Sequence, residues 1–364
     1  MIATKYQGKK TSMLLLVAKN VHKKTWADEI NKWGGLKVNT MTVECYESLK
    51  KHIHERFTFI LMDEVHHVKS DARLDILKSL HYDYMIGLSA TIPKSLKMYF
   101  TYQYHSQIVS CDIVEAIEND ILPEPTILLM PLVLDNTQAT ETIEINPKAK
   151  GPVYRGIYKD RWKYKNKKVH AIISCTPKEK LLEYNQLILF EKNRVIRTRN
   201  EALRFLWLHH CGERLEWLST MKNNIVLQIL RKLNKERTIT FCKTIEQAEC
   251  LGSHCIHSKN KEADTVYDNF NKKKINHITA VNILNENANL VDCKYAVFAN
   301  YSSSCVVGAQ RIGRSLRHKS PVIIMPYYKD TREEEIIRDS MLKDFNPDFI
   351  KVLNSTKDLD CHIK

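Results

Sequence analysis

Two kinds of hydrophobic pattern alternate along most of this chain. Short, continuous apolar runs have the length and bulk of buried strands, and they fall at residues 12–18, 38–45, 57–62, 84–88, 238–242, 277–282, 295–299 and 322–325. Between these runs, apolar residues recur at helical spacing at residues 22–33, 46–54, 71–80, 201–235, 245–251, 264–273 and 333–342. Trp26, Ile30 and Trp33, for example, share one helix face. The alternation predicts an α/β fold with a mostly parallel sheet that is covered on both faces.

The alternation is interrupted between about residues 135 and 199, where long periodic runs are few. The segments before and after this interruption have the pattern of two similar α/β lobes. We therefore expect an N-terminal lobe at residues 1–134, an insertion with linking helices at residues 135–220, and a C-terminal lobe at residues 221–364. A length of 364 residues also favours two domains over one.

The chain is strongly basic, with a net charge of +14 and a pI of about 9.2. Such an excess of cations points first to a polyanionic partner, most often nucleic acid, although a generally basic proteome would also produce it. No apolar run reaches the roughly 18 residues of a membrane span, and residues 1–10 lack the apolar core of a signal peptide. The ten cysteines form no CxxC pair, so we interpret them as reduced thiols of a cytosolic protein. Cys250, His254, Cys255 and His257 cluster without a common zinc spacing.

Two acids follow the strand predicted at residues 57–62. Burying Asp63 and Glu64 there would be costly unless they serve a positive charge, and ligands of open α/β sheets bind beyond the carboxyl ends of the strands. The pair therefore indicates a nucleotide site in which Asp63 holds Mg²⁺ and Glu64 polarises a water molecule. Ser89 and Thr91 follow a neighbouring predicted strand, where their hydroxyl groups would reach the same loop. A strand that ends in a solvated, charged turn is the alternative.

A basic segment in the second half carries a related chemistry. Residues 310–317 read QRIGRSLR, and Arg314 and Arg317 would share one face of a helix. Two guanidinium groups on one face suit a phosphate that gains charge in a transition state, and Gly313 would let the backbone pack closely. A basic helix on the surface is the alternative.

In this order, the three groups resemble the motifs of the superfamily 2 helicases and translocases of the DEAD/DExH kind. Residues 63–66 (DEVH) resemble motif II, residues 89–91 (SAT) resemble motif III, and residues 310–317 resemble motif VI. Weaker similarities link residues 14–18 to motif Ia, residues 240–243 to motif IV and residues 283–290 to motif V. In its size and inter-lobe insertion, the chain is similar to phage repair helicases and to the motor subunit of type III restriction enzymes.

The resemblance implies two RecA-like lobes and a DNA-directed helicase or translocase of replication, recombination or repair, which hydrolyses ATP with Mg²⁺ in the cleft between its lobes. The residue roles that it implies are Mg²⁺ binding by Asp63, water activation by Glu64, positioning of nucleotide or water by Gln310, γ-phosphate contacts by Arg314 and Arg317, coupling to the nucleic acid by His66, Ser89 and Thr91, and nucleic-acid contacts by Asn285 and Asn289.

Two features depart from the family pattern. Asn287 stands near the usual motif V glycine, and asparagine is the non-glycine residue that best tolerates a positive φ. More seriously, the phosphate-binding loop GxxxxGK[ST] is absent, since residues 8–11 (GKKT) precede a strand instead of following one. Residues 1–7 resemble the end of the helix that follows this loop in the family. We expect either a helicase truncated at its amino end, which the retained acids and arginines favour, or a lobe pair that abandoned hydrolysis; either would bind nucleotide weakly.

A basic-aromatic patch lies within the predicted insertion, at residues 154–168. Cations mixed with aromatic rings suit phosphate attraction combined with base stacking, although an insertion whose rings pack against one another would look similar. The predicted nucleic-acid-binding residues of this patch are Arg155, Lys159, Arg161, Trp162 and Lys163. We expect a monomer in the cytoplasm of a bacterial or phage-infected cell that binds single- or double-stranded nucleic acid, with DNA favoured over RNA, and no membrane. A non-catalytic nucleic-acid clamp is the alternative function.

Overall fold

The structure is a computed structural model that describes residues 10–18, 20–32, 38–89, 92–145, 171–281, 290–302, 308, 311–313, 315, 318–343 and 345–363. The chain divides into two compact units, Met1–Asp112 and Ile113–Lys364. Each unit is built on its own parallel sheet with helices. The α/β fold predicted from the alternating pattern is therefore confirmed.

The N-terminal unit contains a four-stranded parallel sheet in the order β2-β1-β3-β4. Its strands are β1 (Ser12–Val17), β2 (Thr40–Cys45), β3 (Arg56–Met62) and β4 (His81–Gly87). Its helices are α1 (Asn20–Lys32), α2 (Asp71–Lys78) and α3 (Lys94–Tyr104), with 3₁₀ helices at Tyr46–His52 and Val65–Val68. The strands and the first two α-helices lie within a few residues of their predicted positions. Residues 46–54 were predicted as a helix and form the first 3₁₀ turn, and α3 was not predicted.

The central strand β1 is buried on both faces because helices cover the sheet on either side. Leu14 and Leu16 belong to the cluster that also contains Ile60 of β3. Leu15 and Val17 point to the opposite face and pack against Trp26 and Ile30 of α1. This two-sided burial is what a continuous apolar run in a parallel sheet predicts.

The C-terminal unit contains a seven-stranded parallel sheet in the order β13-β5-β12-β11-β8-β10-β9. Its strands are β5 (Thr126–Leu132), β8 (Thr238–Phe241), β9 (Cys255–Ile256), β10 (His277–Ala280), β11 (Tyr295–Phe298), β12 (Val322–Tyr328) and β13 (Ile350–Val352). A separate antiparallel pair is formed by β6 (Glu141–Ile145) and β7 (Ala171–Cys175). The α-helices are α4 (Ile113–Glu118), α5 (Pro177–Thr198), α6 (Glu201–Met221), α7 (Asn223–Lys232), α8 (Ile245–Leu251), α9 (Ala263–Asn271) and α10 (Arg332–Ile336), which continues as a π turn at Ile337–Met341.

The boundary between the units lies earlier than the sequence pattern predicts. The pattern places the end of the N-terminal lobe at residue 134, whereas the units separate after Asp112. The reason is strand pairing: all seven residues of β5 pair in parallel with β12, and β13 pairs on the other side of β5. An apolar run such as residues 126–132 indicates a buried strand but does not indicate which sheet takes it up.

The predicted insertion contains a long helix that the sequence pattern does not predict. Helix α5 spans 22 residues and begins at a capping box, in which Thr176 Oγ1 accepts from Glu179 N and Glu179 Oε2 accepts from Thr176 N. It pairs with α6, where His210 Nδ1 lies 2.6 Å from Glu191 Oε2. The helical run predicted at residues 201–235 is broken at Lys222, which separates α6 from α7.

The break at Lys222 is held by a buried ion pair. Lys222 Nζ donates to Glu333 Oε1, and both side chains are almost fully buried. Glu333 Oε2 accepts from the backbone of Tyr328 at 3.1 Å, and the Lys222 ammonium lies 4.5 Å from the centre of the Tyr301 ring. Burial lowers the pKa of Lys222 and raises the pKa of Glu333, while the attraction between the two charges opposes both shifts. The pair ties the α6–α7 junction to the start of α10.

Removing one partner of this pair should destabilise the C-terminal unit. We expect Lys222→Ala to lower the free energy of unfolding by about 3–5 kcal/mol, because it leaves the Glu333 carboxylate buried without its cation. Urea denaturation followed by hydrogen exchange of the C-terminal unit measures this loss. Lys232→Ala is the matched control, since its partner Asp360 is largely exposed and the expected loss is below about 1 kcal/mol. Equal losses in the two variants would contradict the prediction.

Candidate functional site

Asp63 lies directly beyond the carboxyl end of β3 and is fixed from three sides. Its backbone N–H donates to Leu16 O at 2.9 Å, and its carbonyl accepts from the Tyr46 hydroxyl at 2.7 Å. Its Oδ2 accepts from Trp26 Nε1 at 2.8 Å. Asp63 is also buried. The carboxylate is therefore held at the sheet edge by β1, α1 and the first 3₁₀ helix. The sequence pattern identifies Trp26 only as an apolar residue of its helix.

Glu64 adopts a backbone conformation that is unusual for a side chain of its size. Its φ of 51° and ψ of 56° place it in the left-handed region, which costs roughly 1–2 kcal/mol for an L-residue. Its Oε2 is buried and has no hydrogen-bond partner among the described residues. His66 Nδ1 lies 3.4 Å from this oxygen but does not meet it in hydrogen-bonding geometry. A buried carboxylate oxygen without a donor is costly, and a bound cation or water would satisfy it.

The loop after β4 is joined to the Asp63–Glu64 turn by backbone and side-chain contacts. Leu88 N donates to Met62 O, and Val65 N donates to Leu88 O, both at 2.8 Å. His66 Nδ1 then lies 3.0 Å from Ser89 Oγ. The structure therefore brings four of the predicted site residues together, namely Asp63, Glu64, His66 and Ser89.

Close packing between two backbone segments supports this junction. A Cβ atom added to Gly87 would lie 3.1 Å from Val65 Cγ2, which is closer than side chains normally pack. Gly87 ends β4, and Val65 opens the second 3₁₀ helix. The absence of a side chain at position 87 thus allows the strand end and the turn to approach.

Aromatic residues form a second layer behind the turn. Tyr46 is buried and stacks on His67 with a 6.0 Å separation between ring centres. Burial raises the pKa of the Tyr46 hydroxyl, and the nearby Asp63 and Glu64 charges raise it further. Arg73 fixes the turn from outside by donating to His67 O at 2.8 Å and to Glu47 Oε1 at 2.9 Å. Tyr46 therefore stays protonated and keeps donating to Asp63.

A cavity of about 400 Å³ lies beside the turn and is mainly apolar. Met62, Val65, Leu88 and Phe100 line it, and Ser89 and Gln107 are among its few polar residues. None of the described residues that line it carries a charge. This cavity therefore does not supply the cations that would hold a nucleotide's phosphates.

The segment resembling motif VI is described in part, and its buried arginine is Arg311. Only 2% of Arg311 is exposed, its Nη1 donates to Asn300 O at 3.2 Å, and its guanidinium lies 5.3 Å from the centre of the Phe241 ring. Burial lowers the pKa of Arg311 to about 10. Arg311 was not predicted to have a role, and it anchors this segment to β8 and to the residues after β11. A Cβ atom on Gly313 would meet no atom of the described residues within 4 Å, so the close packing expected there is not observed.

Several predicted site residues lie outside the described residues and remain predictions. They are Thr91, Arg155, Lys159, Arg161, Trp162, Lys163, Asn285, Asn289, Gln310, Arg314 and Arg317.

The donor set at the turn fits a magnesium ion bound in part by its substrate. Mg²⁺ usually takes one or two protein carboxylates together with water and phosphate oxygens, and the Asp63 carboxylate, which Trp26 holds in place, provides one. Among the described residues, no cluster of three or more His, Cys, Asp or Glu residues could hold a metal, which applies also to the cysteines and histidines near residue 255. The nine described cysteines are free. No helix in the described ranges has the length and apolar character required to cross a bilayer.

Two stretches of the chain match known protein families. Residues 5–94 match the family described as "Type III restriction enzyme, res subunit". Residues 221–319 match the "Helicase conserved C-terminal domain". Together these ranges cover about half of the chain. No curated protein matches the sequence significantly.

Solved structures share the fold at low sequence identity. S. cerevisiae Dbp5 bound to RNA and ADP BeF3 is 12% identical, with a TM-score of 0.56 over 97% of this chain and 79% of that one. The ATP-dependent type ISP restriction-modification enzyme LlaBIII bound to DNA is also 12% identical, with a TM-score of 0.54 over 99% of this chain and 29% of that one. These similarities confirm the two-lobed, RecA-like α/β architecture.

Replacing Gly87 tests whether close packing holds the turn in place. We expect Gly87→Ala to destabilise the N-terminal unit by about 1–3 kcal/mol, because the added methyl group displaces Val65. Gly212→Ala is the control, since a Cβ there meets nothing within 4 Å and alanine in a helix interior should add about 1 kcal/mol. Urea denaturation gives the stabilities, and hydrogen exchange at the Val65 amide reports the turn. Unchanged exchange at Val65 in Gly87→Ala would contradict the prediction.

Proposed function

Because the chain belongs to the superfamily 2 helicases, we propose that it is a nucleic-acid-dependent motor that uses ATP and Mg²⁺ and acts on DNA in replication, recombination or repair. The supporting observation is the grouping of Asp63, Glu64, His66 and Ser89 at the carboxyl edge of one parallel sheet. Dbp5 and LlaBIII were solved with RNA and with DNA respectively, so a nucleic-acid partner agrees with both neighbours.

The proposed chemistry assigns a distinct task to each residue of the turn. Asp63, oriented by the Trp26 indole, would hold the magnesium, which neutralises charge on the phosphates of the nucleotide. Glu64 would orient the attacking water through its unsatisfied Oε2. His66 contacts both Glu64 and Ser89, so it would couple the acid to the loop after β4. On the sequence alone, Gln310, Arg314 and Arg317 would complete the phosphate contacts.

Phosphate binding is the incomplete part of this site. The 364 residues contain no GxxxxGK[ST] loop, and none of the described residues that line the cavity beside the turn is charged. Backbone amides and a lysine normally hold the β- and γ-phosphates in this family. We therefore propose that this chain, as it stands, binds nucleotide weakly and hydrolyses little of it.

A comparison of hydrolysis rates tests this part of the proposal. We expect ATP turnover by the chain, with Mg²⁺ and single-stranded DNA, to equal that of Glu64→Gln, because the nucleotide is not held for attack. Glu55→Gln, which changes a half-exposed acid elsewhere in the N-terminal unit, is the control. Phosphate release and a fluorescent-nucleotide titration are the measurements. Turnover that is robust in the chain and in Glu55→Gln but lost in Glu64→Gln would show that the site is complete.

The alternative function is a non-catalytic nucleic-acid clamp. The missing phosphate loop favours it, whereas the unsatisfied Glu64 oxygen opposes it because a site without a ligand gains nothing from such a group. Both functions require nucleic-acid binding. They differ in whether the chain hydrolyses nucleotide and in whether nucleotide alters the binding of nucleic acid.

The basic-aromatic patch is the proposed nucleic-acid contact that follows from the sequence. We expect Arg161→Ala/Trp162→Ala/Lys163→Ala to weaken binding of single-stranded DNA about tenfold and to flatten its salt dependence, because two phosphate contacts and one stacking contact are lost. Fluorescence anisotropy of a labelled strand at several salt concentrations measures both effects. Unchanged affinity and unchanged slope would favour a patch whose aromatic rings pack internally.

A further inference from the structure

The far end of the α5–α6 pair protrudes from the core of the C-terminal unit. Near its base, Lys180 Nζ lies 2.6 Å from Glu141 Oε2, and the last buried contact along the pair joins Glu191 to His210. Beyond that contact no residue from 192 to 209 is buried. We call residues 192–209 the hairpin tip.

The hairpin tip is strongly cationic. It carries one acid, Glu201, and five basic residues, namely Lys192, Arg194, Arg197, Arg199 and Arg204. None of these five forms an ion pair with any residue in the described part of the chain. The Arg194 guanidinium lies 5.5 Å from the centre of the Phe190 ring. These five cations therefore have no carboxylate of the described residues within ion-pair distance.

Large apolar side chains stand among these cations. Phe205 is 71% exposed, Ile196 is 64% exposed and Leu208 is 48% exposed. Trp207 Nε1 is buried and has no hydrogen-bond partner among the described residues. Phe205 and Leu208 are three positions apart on α6 and therefore share one face of the helix. Exposed apolar side chains that group on a charged surface commonly mark a binding site.

Helix electrostatics explain only part of this charge. Cations near the C-terminus of α5 interact favourably with its dipole, which accounts for Arg197 and for the capping residue Arg199. Arg204, however, lies near the N-terminus of α6, where a cation is unfavourable. Arg199 also has a φ of 50°, in the left-handed region that glycine occupies without strain. Arginine is therefore disfavoured at position 204 by the helix dipole and at position 199 by the left-handed backbone.

We propose that the hairpin tip binds single-stranded nucleic acid, with its arginines on the phosphates and Phe205 stacked on a base. The proposal rests on the proposed nucleic-acid function and adds a second contact surface to it. Unpaired guanidinium groups suit phosphate oxygens, and an exposed ring next to them suits an unpaired base. A protein partner would have to present an acidic surface with a pocket for Phe205. Single-stranded nucleic acid instead offers phosphate groups and unpaired bases along its whole length.

A charge-removing variant of the full chain tests the phosphate contacts. We expect Arg197→Ala/Arg199→Gly/Arg204→Ala to weaken binding of a fluorescein-labelled single strand about tenfold or more at low salt. The slope of log affinity against log salt should become shallower by about 2, because three phosphate contacts are lost. Glycine at position 199 suits the left-handed backbone, so circular dichroism and thermal unfolding should show an intact fold.

A second triple variant controls for net charge. Arg231, Lys235 and Lys274 are exposed cations of the same unit, close to the amino ends of β8 and β10. Replacing all three with alanine removes the same amount of charge, but at the amino ends of the strands. We expect the affinity for the labelled single strand to stay within about twofold of the wild-type value. Equal losses in the two triple variants would overturn the proposal, because general charge would then account for the binding.

Substitutions of Phe205 separate stacking from hydrophobic contact. We expect Phe205→Ala and Phe205→Leu to weaken binding by a similar factor of about five to ten without changing the salt slope, because leucine keeps apolar area but has no π-face. Full affinity in Phe205→Leu would overturn the stacking role. If sedimentation instead showed that the wild-type chain self-associates and that Phe205→Ala abolishes this, the tip would be an interface between copies and the proposal would be wrong.

The outcomes also distinguish this proposal from the proposed function. Normal binding by the Arg197/Arg199/Arg204 variant, combined with weakened binding by the Arg161/Trp162/Lys163 variant, would overturn the tip proposal and leave the nucleic-acid function standing. A wild-type chain that binds neither DNA nor RNA at low salt would overturn both.

Discussion

The backbone hydrogen bonds that join the end of β3 to the end of β4 are the interaction on which the candidate site depends. Parallel pairing brings the two carboxyl ends to one edge, and Leu88 links them by donating to Met62 and accepting from Val65. This exchange fixes where the chain turns after Asp63 and Glu64. It also places His66 against Ser89, which is 23 positions away in sequence. Without it, the acids would end a strand and face solvent separately.

Much of this arrangement could be predicted from the sequence because parallel strands leave a strong signal. Continuous apolar runs located β1, β3 and the edge strand β4, and the acids at the end of β3 lie where the topology predicts a site. The same patterns do not predict the sheet position of β5 or the presence of helix α5, for two different reasons. The sheet that receives β5 is decided by long-range pairing with β12. The apolar pattern does not predict helix α5, although its capping box, Thr176 with Glu179, is visible in the sequence.

The finer geometry of the site depends on contacts that no local pattern encodes. The sequence pattern identifies Trp26 only as an apolar residue of an amphipathic helix, yet its indole N–H donates a hydrogen bond to Asp63. Nothing in the sequence signals that Glu64 takes a left-handed backbone conformation. Arg311 is one of three arginines in its segment, and its contacts with Phe241 and Asn300 are not evident from the sequence. The contacts of Trp26 and Arg311 form only when two elements that are distant in sequence pack together.

The antiparallel pair of β6 and β7 has a consequence for how such a chain can change. Ile145 pairs with Ala171, so the antiparallel pair brings these two positions together although 25 residues separate them in the sequence. The entropy of closing a loop grows only with the logarithm of its length, by roughly 0.6 kcal/mol for each doubling. A change in the number of residues between Ile145 and Ala171 therefore alters the closure cost little. The sheets that carry the candidate site need not change with it.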